Sequence, residues 1–484
     1  MPSRVASARS TILPLALAQF VASYAGTNMN VAISTIADDI GTTVVGMQTT
    51  ITLFTLTMAA LMIPGSKLTD IWGRKTCFLA GLVVYGCGAL MAAFAQGLGL
   101  MIFGYSLLEG IGSALMIPPI YILITVAFTD TGSRARYFGV VSGAAGLGAA
   151  AGPLIGGLVT SAISWRASFG LQVLIVATII VMALRITDPA RTEAAPRFDV
   201  LGAILSATGL LFVVLGILQS STYGWFASRT DFTIGDTVLI PKGGVSPVWL
   251  FVGVGAVILL WFFLHLRSRE RKREDPLIAT RLFRNRTSNR GLATQLIQWL
   301  IVQGSFFVIS VFVQQVRGYN AIQTGLILSP TIVGMLASSA AAGRLARRRT
   351  QTWLIRAGFI TTTVGMALLL ALVREHSGIL SFVPGLLLIG VGVGVMLTSS
   401  VNVVQSAFPE RDQGDISGLS RSVSNLGSAL GVALAGSVIA AASFPGGHPF
   451  ALSLTIMLVF SLIGLGIAFL LPNRQAPEPR EAVS

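Results

Sequence analysis

The sequence predicts an all-α integral membrane protein with fourteen transmembrane helices. Of its 484 residues, 53% are hydrophobic and 11% are charged, whereas soluble domains carry about 25% charged residues. Apolar runs of about 20 residues, which are long enough to cross a bilayer as helices, alternate with short charged or turn-rich segments. The composition excludes a large soluble domain. Cys77 and Cys87 fall in one apolar run, so no disulfide framework or metal-site spacing is visible.

The first apolar run has to be distinguished from a signal peptide. Arg4 and Arg9 precede "TILPLALAQ", which contains a small-residue A-L-A site. The stretch before that site is only about seven residues long, at the lower limit for a signal peptide, and the apolar sequence continues beyond it. We therefore interpret it as a retained first span. The predicted spans are 11–35, 47–67, 76–95, 99–127, 137–160, 167–186, 200–220, 247–266, 289–313, 322–342, 353–373, 378–405, 414–441 and 449–471.

Lysine and arginine are distributed unequally between the two sides of these spans. With a cytoplasmic N-terminus, 27 of the 33 basic residues fall in cytoplasmic segments, five in outer segments and Arg421 within a span. The positive-inside rule therefore places both termini in the cytoplasm. The excess of arginine over lysine suggests a GC-rich bacterial genome, so we predict a multi-pass protein of the bacterial inner (plasma) membrane. Because the basic residues lie between apolar runs, no nucleic-acid partner is predicted.

Two connections between spans are long. Residues 221–246, on the outer side, are rich in Gly, Ser and Thr and are predicted to be irregular, with room for one short strand. Residues 267–288, on the cytoplasmic side, form a basic cluster that either contacts anionic lipid headgroups or is a solvated topology signal. The polar residues 473–484 are predicted to be a disordered tail.

The short cytoplasmic turn "GSKLTDIWGRK" has more specialised residues than a helical hairpin needs. Gly65 and Gly73 permit close approach of chains and unusual backbone angles. Asp70 is an anion suited to the N-terminus of a neighbouring helix. Arg74 and Lys75 follow, and Arg74 can pair with a carboxylate. We interpret this turn as a cytoplasmic latch between two moving bodies.

The fifth predicted span is crowded with glycine. Its stretch "GLGAAAGPLIGG" contains Gly148, Gly152, Pro153, Gly156 and Gly157. Four-residue glycine spacing lets helices pack backbone to backbone, and a proline inside a helix removes a hydrogen bond and kinks the helix. Tight packing and a conformational hinge are both compatible with this pattern.

These two motifs, in this order, resemble the major facilitator superfamily. "GSKLTDIWGRK" resembles its loop signature G-x-L-a-D-r-x-G-r-k, and "GLGAAAGPLIGG" resembles the antiporter motif G-x-x-x-G-P-x-x-G-G of the fifth helix. The fourteen spans resemble the drug:proton antiporter branch of that superfamily. The resemblance covers nearly the whole chain.

The resemblance implies two six-helix bundles related by pseudo-twofold symmetry, spans 1–6 and 9–14, with spans 7 and 8 inserted between them. Substrate would bind in the cleft, and the bundles would rock in alternating access. Asp70 would close the cytoplasmic face by capping the thirteenth span near residues 414–418, and Arg134 or Arg136 would complete the charge network. The implied domains are an N-terminal bundle (1–190), the inserted helices and their loops (191–288), a C-terminal bundle (289–472) and the tail (473–484).

The sequence departs from the family pattern at charged positions. In the first span Ala25 stands where relatives have an aspartate, and in the fourth span Ser106 and Glu109 stand where relatives have arginine and glutamine. A carboxylate in mid-membrane costs about 2.5–3.5 kcal/mol on insertion scales, so its retention requires a reason. One helical turn from Glu109 lie Tyr105 and Ser113, on a face that suits the bundle interior.

Two interpretations of Glu109 remain open. In the first, Glu109 replaces the missing aspartate as the proton carrier and exchanges a proton as the site opens to either side. In the second, it stays protonated and forms hydrogen bonds within the bundle, as a glutamine would.

Arg421 is the other charge within a predicted span. It either faces the cavity, near Glu109 or an anionic substrate, or it extends to the cytoplasmic gate. The other candidate cavity groups could equally serve interhelical packing; they are Asn28, Asn30, Gln298, Gln303 and Asn402.

We predict a secondary active transporter, not an enzyme, that exports small amphiphilic compounds in exchange for protons. The alternative is a weakly coupled or uncoupled exporter of a lipid, a cell-envelope precursor or a secondary metabolite. A membrane enzyme would need clustered catalytic side chains, whereas His265, His376 and His448 are isolated in the sequence. The predicted partners are a small-molecule or lipid-like substrate, protons and membrane lipids. The energy source is the proton gradient, no cofactor or metal is expected, and the protein is predicted to be a monomer.

Overall fold

The computed structural model describes residues 2–128, 131–186, 198–234, 237–346, 348–374, 376–408, 413–441 and 448–472. Within these residues the chain is mainly helical, as the composition predicts. The α-helices are α1 (Pro2–Val31), α2 (Ile33–Asp39), α3 (Val44–Trp72), α4 (Arg74–Ala93), α5 (Leu98–Met101), α6 (Gly110–Ala127), α7 (Thr131–Ala162), α8 (Trp165–Ala183), α9 (Val200–Tyr223), α10 (Pro247–Arg271), α11 (Arg286–Val311), α12 (Ala321–Ala346), α13 (Gln351–Leu372), α14 (Val383–Gln405), α15 (Gln413–Ala441) and α16 (His448–Phe469).

Thirteen helical stretches among the described residues are long and apolar enough to cross a membrane. They correspond to every predicted span except the first, whose residues 11–35 lie in α1 and the start of α2. Gln19, Thr27, Asn28 and Asn30 make α1 less apolar than the other helices, and all four side chains are buried. The helix α1 is therefore less apolar than the other helices, and its polar side chains are covered by protein.

Two predicted spans are less regular than expected. The first is interrupted at Ala32, whose φ of −114° and ψ of 10° are not helical, and it continues as α2. The fourth consists of α5, a π-helical segment (Ile102–Glu109) and α6. A second π-helical segment (Phe312–Val316) follows α11. Such segments are rare and occur frequently at functional sites.

Most helix contacts are made within one half of the chain. In the first half α1 packs on α7 and α8, and α4 packs on α6 and α8. In the second half α14 packs on α12 and α13, and α11 packs on α15 and α16. The halves are joined mainly by α3 with α15 and α7 with α12, and less extensively by α1 with α11 and α12, α6 with α15, and α2 with α11. The helices α9 and α10 pack on each other, and α9 also contacts both α3 and α15.

The two long connections are more ordered than the sequence predicts. The loop at 221–246 contains an antiparallel hairpin of β1 (Phe232–Ile234) and β2 (Thr237–Ile240). The basic connection is shorter than predicted, because α10 continues to Arg271 and α11 begins at Arg286.

Apolar residues anchor the basic connection to the helices. Leu277, Ile278 and Leu282 are buried together with Ile416 and Leu419 of α15. The connection is therefore held against α15 by its apolar side chains. Neither the solvated-signal interpretation nor the lipid-headgroup interpretation required such buried apolar contacts. The predicted tail at 473–484 lies outside the described residues.

Charges distinguish the two ends of the structure. We call the end that carries Lys67, Asp199 and Asp415 the basic end, after the connection docked there. We call the end that carries Asp39 and Arg166 the opposite end.

Candidate functional site

Glu109 is completely enclosed by protein. Its side chain has no solvent exposure, and Tyr105 and Ser113 on the same helix face are also buried. Neither carboxyl oxygen makes a hydrogen bond of standard geometry among the described residues, and the hydroxyl group of Tyr85 lies close enough to interact with the carboxyl group. Helix α4 approaches closely here, because a Cβ at Gly88 would lie 2.6 Å from the Glu109 backbone nitrogen. The face that carries Glu109 thus points into the protein and not toward lipid.

Two buried tyrosines flank Glu109. Tyr85 and Tyr105 lie close enough to the carboxyl group to interact with it electrostatically. Tyr85 donates to Gln172 Oε1 at 2.5 Å, and Tyr105 donates to the Ala25 carbonyl at 3.0 Å. Ala25 is the position where the resembled pattern has an aspartate. Tyr105 therefore contacts α1 at Ala25 and also lies beside Glu109.

Several polar atoms near Glu109 lack partners among the described residues. They include Gln172 Nε2 and Ser113 Oγ in addition to both carboxyl oxygens of Glu109. A protonated carboxyl group can donate a hydrogen bond, whereas a carboxylate only accepts. The glutamine-like interpretation requires a hydrogen bond at Glu109, and the adjacent Tyr85 hydroxyl group is the candidate partner. Both interpretations of Glu109 therefore stay predictions.

The glycines of α7 lie against α1. A methyl group at any of three glycines would overlap α1, so the two backbones are in direct contact. The contacts are Gly148 with Phe20, Gly152 with Thr27, and Gly156 with Asn28. Thr27 Oγ1 also donates to the Ala149 carbonyl at 3.1 Å. Asn28 therefore belongs to the interface between α1 and α7. We call such an interface between two helices a seam and name it by its helices, here the α1–α7 seam.

The rest of the glycine motif faces the second half of the chain. A Cβ at Gly157 would lie 2.5 Å from the Ala321 carbonyl oxygen of α12. Gly325 of α12 lies directly against the Pro153 carbonyl. One motif thus packs α7 on both α1 and α12, which makes α7 a shared element of two seams.

Two of the predicted cavity residues lie where α1 meets α11. Gln303 donates to the Gly26 carbonyl at 3.3 Å. The Asn30 carbonyl accepts from Gln314 Nε2 at 3.0 Å. Gln314 was not among the residues that the sequence singled out.

The other two predicted cavity residues are placed elsewhere. Gln298 accepts a hydrogen bond from Ser400 at 3.1 Å, within the second half of the chain. Asn402 is exposed, three residues before the end of α14. The structure does not bring these two side chains together with Asn28, Asn30 and Gln303.

The turn between α3 and α4 uses its glycines as backbone elements. Gly65 lies directly against the Ala114 carbonyl of α6, with no room for a side chain. Gly73 has a φ of 100°, a conformation that favours glycine, and it separates the two helices. Arg74 begins α4. Lys75 Nζ donates to the Leu184 carbonyl at 2.7 Å.

The basic end has an ion pair that the sequence analysis missed. Lys67 Nζ lies 2.9 Å from Asp415 Oδ1. The two residues stand in the quoted stretches "GSKLTDIWGRK" and 414–418, so their opposite charges were the available signal. The side chains of Asp70, Arg134 and Arg136 lie outside the described residues, and capping of the thirteenth span by Asp70 stays a prediction.

Arg421 contacts Tyr121 of α6. Its guanidinium group lies 5.0 Å from the ring centroid and donates a hydrogen bond to the tyrosine hydroxyl. Tyr121 is twelve residues beyond Glu109, or about 18 Å along a helix. Arg421 therefore lies on the basic-end side of the structure, away from Glu109.

Asp199 connects the inserted helices to the basic connection. Its side chain is 1% exposed and lies 2.9 Å from His265 Nε2 of α10. It accepts hydrogen bonds from Gly202 N at 2.9 Å, as the N-cap of α9, and from Leu277 N at 3.2 Å. One buried carboxylate thus fixes α9, α10 and the basic connection relative to each other.

At the opposite end, Asp39 pairs with the first residues of α8. Hydrogen bonds from Arg166 and then from Trp165 lower the pKa of the Asp39 carboxyl group. The Trp165 Nε1 to Asp39 distance is 3.0 Å. Arg166 also donates to the Ala95 carbonyl at 2.9 Å. These contacts fix the end of the first span to the rest of the first half.

Two cavities lie outside the Glu109 region. A cavity of about 360 Å³ is lined mostly by apolar side chains of α11, α13 and α16 and of the segments that follow α11 and α13. A smaller one of about 170 Å³ at the basic end is lined by Lys67, Asp199, Asp275, Arg281 and Asp415, among others. No group of three or more His, Cys, Asp or Glu side chains that could hold a metal ion occurs in the described part of the chain.

Comparison with known proteins identifies the family. The model of the Major Facilitator Superfamily matches residues 15–235 and 236–432. The chain is 27% identical to the probable actinorhodin transporter of Streptomyces coelicolor over 422 residues, which is 85% of this chain and 69% of the relative. It is 26% identical to the multidrug resistance protein Stp of Mycobacterium tuberculosis over 396 residues, 82% of this chain and 69% of the relative.

A third relative is the puromycin resistance protein pur8 of Streptomyces alboniger. It is 26% identical over 424 residues, which is 87% of this chain and 80% of the relative. These matches confirm the resemblance that the two motifs predicted. The chain belongs to the Major Facilitator Superfamily and is an integral membrane protein.

Proposed function

We propose that this protein is a secondary active transporter that exports small amphiphilic compounds, with proton entry as the driving reaction. Relatives named for antibiotic or multidrug resistance and export support the cargo class. The observation that carries proton coupling is Glu109, a carboxyl group within the fourth span that has no solvent exposure and makes no hydrogen bond of standard geometry among the described residues. The proposal involves no covalent chemistry.

The architecture that goes with this function has fourteen spans. We assign α1 with α2 as the fourteenth span, in addition to the thirteen that length and composition support. Spans 1–6 and 9–14 form two six-helix bundles, which rock about the α3–α15, α7–α12 and α1–α11 seams. The basic end faces the cytoplasm of a bacterial cell, both termini lie there, and the protein acts as a monomer.

Glu109 couples transport to protons through its access to water. An unpaired carboxylate in a water-free interior is very costly, so Glu109 holds a proton in the enclosed state. When the helices around it separate toward one side, water reaches the carboxyl group and the proton leaves. In the state open to the cytoplasm, the protein releases the proton and binds cargo. In the state open to the outside, it releases cargo and binds a proton.

The test is cargo flux in proteoliposomes with an imposed pH difference. The cargo panel contains puromycin and ethidium, and the proteins are wild type, Glu109→Gln and Glu109→Asp. We expect the pH difference to accelerate wild-type flux and to have no effect on Glu109→Gln, whereas Glu109→Asp retains part of the acceleration because it keeps an ionisable group. Equal acceleration of wild type and Glu109→Gln would contradict the role of Glu109.

A second candidate function is uncoupled or weakly coupled export of a lipid, a cell-envelope precursor or a secondary metabolite. The presence of Ala25 and Ser106 where relatives carry charges favours it. This candidate predicts that wild-type flux follows the cargo gradient at any pH difference. The same vesicles, loaded with fluorescent phospholipid in place of the drugs, test the lipid as cargo.

A further inference from the structure

The side chain of Gln314 is inserted into the broken helix of the first span. Gln314 Oε1 accepts a hydrogen bond from Ser34 N at 3.0 Å. Gln314 Nε2 donates to the Asn30 carbonyl at 3.0 Å. Gln314 is buried, and the residues it connects are 280 and 284 positions away in the chain.

In a regular α-helix the two backbone groups, Ser34 N–H and the Asn30 carbonyl, would form a hydrogen bond with each other. A primary amide has both a donor and an acceptor, so Gln314 satisfies both groups where the helix does not. The break lies between them at Ala32, whose N–H donates to the Met29 carbonyl at 3.2 Å, three residues back.

Both helices are irregular at this contact. Gln314 lies in the π-helical segment Phe312–Val316, which follows α11. The break in the first span and this segment therefore meet at the opposite end of the α1–α11 seam. A second contact between the halves, Ile322 N to Ser161 Oγ at 3.2 Å, lies at the same end of the α7–α12 seam.

We propose that Gln314 is the positioning residue that holds the opposite end of the transport path closed, by completing the hydrogen bonds of the broken first helix. When Gln314 withdraws, Ser34 N and the Asn30 carbonyl bond to each other and the helix becomes continuous. Straightening of the first span and opening of this end are then one event. The inference rests on the proposed alternating access and assigns its outer gate.

This exchange has two stable arrangements. A buried backbone N–H or carbonyl without a partner is unfavourable. In the closed arrangement both groups are bonded to Gln314, and in the open one they are bonded to each other. The amide of Gln314 then needs only water, which an open end supplies. An element with two discrete arrangements is what a gate requires.

Disulfide cross-linking across the second seam measures the closed state without cargo. The background is Cys77→Ser with Cys87→Ser, since these are the two native cysteines. The reporter pair is Ser161→Cys with Ile322→Cys, which lies away from Gln314. We compare Gln314→Met with Gln295→Met, a matched control on α11 whose buried amide accepts from Ser420 Oγ at 2.8 Å.

We expect Gln314→Met to slow cross-linking about threefold or more, because two hydrogen bonds of the closed state are lost. Gln295→Met should cross-link at the parent rate. Equal rates for Gln314→Met and the parent would overturn the inference. A matching loss in Gln295→Met would also overturn it, because the effect would then be general loosening of α11.

Gln314→Glu provides a reversible form of the same test. A neutral carboxylic acid has one donor and one acceptor, as the amide has, whereas a carboxylate only accepts and repels the Asn30 carbonyl. Cross-linking of Gln314→Glu, divided by the parent rate at each pH to remove thiol reactivity, should rise as the pH is lowered from about 7 to about 4. A ratio independent of pH would overturn the inference.

The cross-linking assay uses neither cargo nor a proton gradient. Failure of export in vesicles with a normal cross-linking response would therefore count against the proposed function alone. Normal export together with unchanged cross-linking in Gln314→Met would count only against the role of Gln314 in closing the opposite end.

Discussion

Lys67 Nζ of α3 lies 2.9 Å from Asp415 Oδ1 in the first turn of α15. The pair joins the two halves of the chain at the basic end, while Gln314 joins them at the opposite end. Asp415 is also well placed electrostatically, because an acidic side chain is favourable at a helix N-terminus. The two side chains are 22% and 26% exposed, so water weakens the pair without abolishing it.

Neutralising either member of this pair should loosen the basic end. We expect Lys67→Gln and Asp415→Asn each to cost about 0.5–1 kcal/mol, a two- to fivefold shift, as for partly exposed ion pairs. The measurement is disulfide cross-linking of Ser66→Cys with Gly418→Cys, which face each other across this seam. The double variant should lose little more than one single variant. Fully additive losses would show that the two side chains do not interact.

Adding a methyl group to the α1–α7 seam should destabilise the protein. Gly156→Ala places a Cβ against Asn28, and overpacking of this kind costs about 1–3 kcal/mol. The matched control is Gly143→Ala on the same helix, where a Cβ has open space and where alanine favours helix by about 0.5–1 kcal/mol. Thermal unfolding in detergent should give a lower Tm for Gly156→Ala and an equal or higher Tm for Gly143→Ala. The reverse order would contradict the packing described here.

Removing the carboxyl group of Asp199 should release the basic connection. Asp199→Ala loses the N-cap of α9 and leaves Leu277 N without its partner, which together should cost about 2–4 kcal/mol. Asp199→Asn retains an acceptor and a good N-cap residue, so its loss should be smaller. Limited proteolysis within residues 272–285 tests this directly, with faster cleavage in Asp199→Ala than in Asp199→Asn. Equal resistance of all three proteins would show that the connection is held by its apolar residues alone.

The Asp39 contact should make the free energy of unfolding depend on pH only at acidic pH. Its folded pKa is lowered by Arg166 and Trp165, so its contribution is fully present above the unfolded pKa of about 3.9 and is lost as pH falls through the folded pKa. The Tm difference between wild type and Asp39→Asn should therefore be constant from about pH 7 to about pH 5, begin to decline near about pH 4, and disappear only below the lowered folded pKa. A difference that declines already near neutral pH would exclude this carboxylate as its source.

Helix positions and the family were predictable because they depend on local composition. A segment of about 20 apolar residues must form a helix in a bilayer, since only a helix satisfies its own backbone groups there. Thirteen spans follow from this rule. The glycine spacing of α7 is also local: it predicted close packing of helix backbones and, together with the turn between α3 and α4, the family, whereas the partner α1 was decided by the tertiary structure. Helix α1 shows the limit of the rule, because its buried polar side chains reduce its hydropathy and contact protein.

The contacts between distant polar residues were decided only by the tertiary structure. Lys67 with Asp415, Gln314 with Ser34, and Arg421 with Tyr121 each join helices whose relative rotation and depth no single segment specifies. The same holds for Asp199, which the sequence places at a helix start and the fold places against His265 and Leu277. Insertion into the membrane is decided span by span, whereas rotation and register are set by packing between helices. The sequence alone therefore identified the spans and the lone acid Glu109, and the packed structure determined which residues join the two ends.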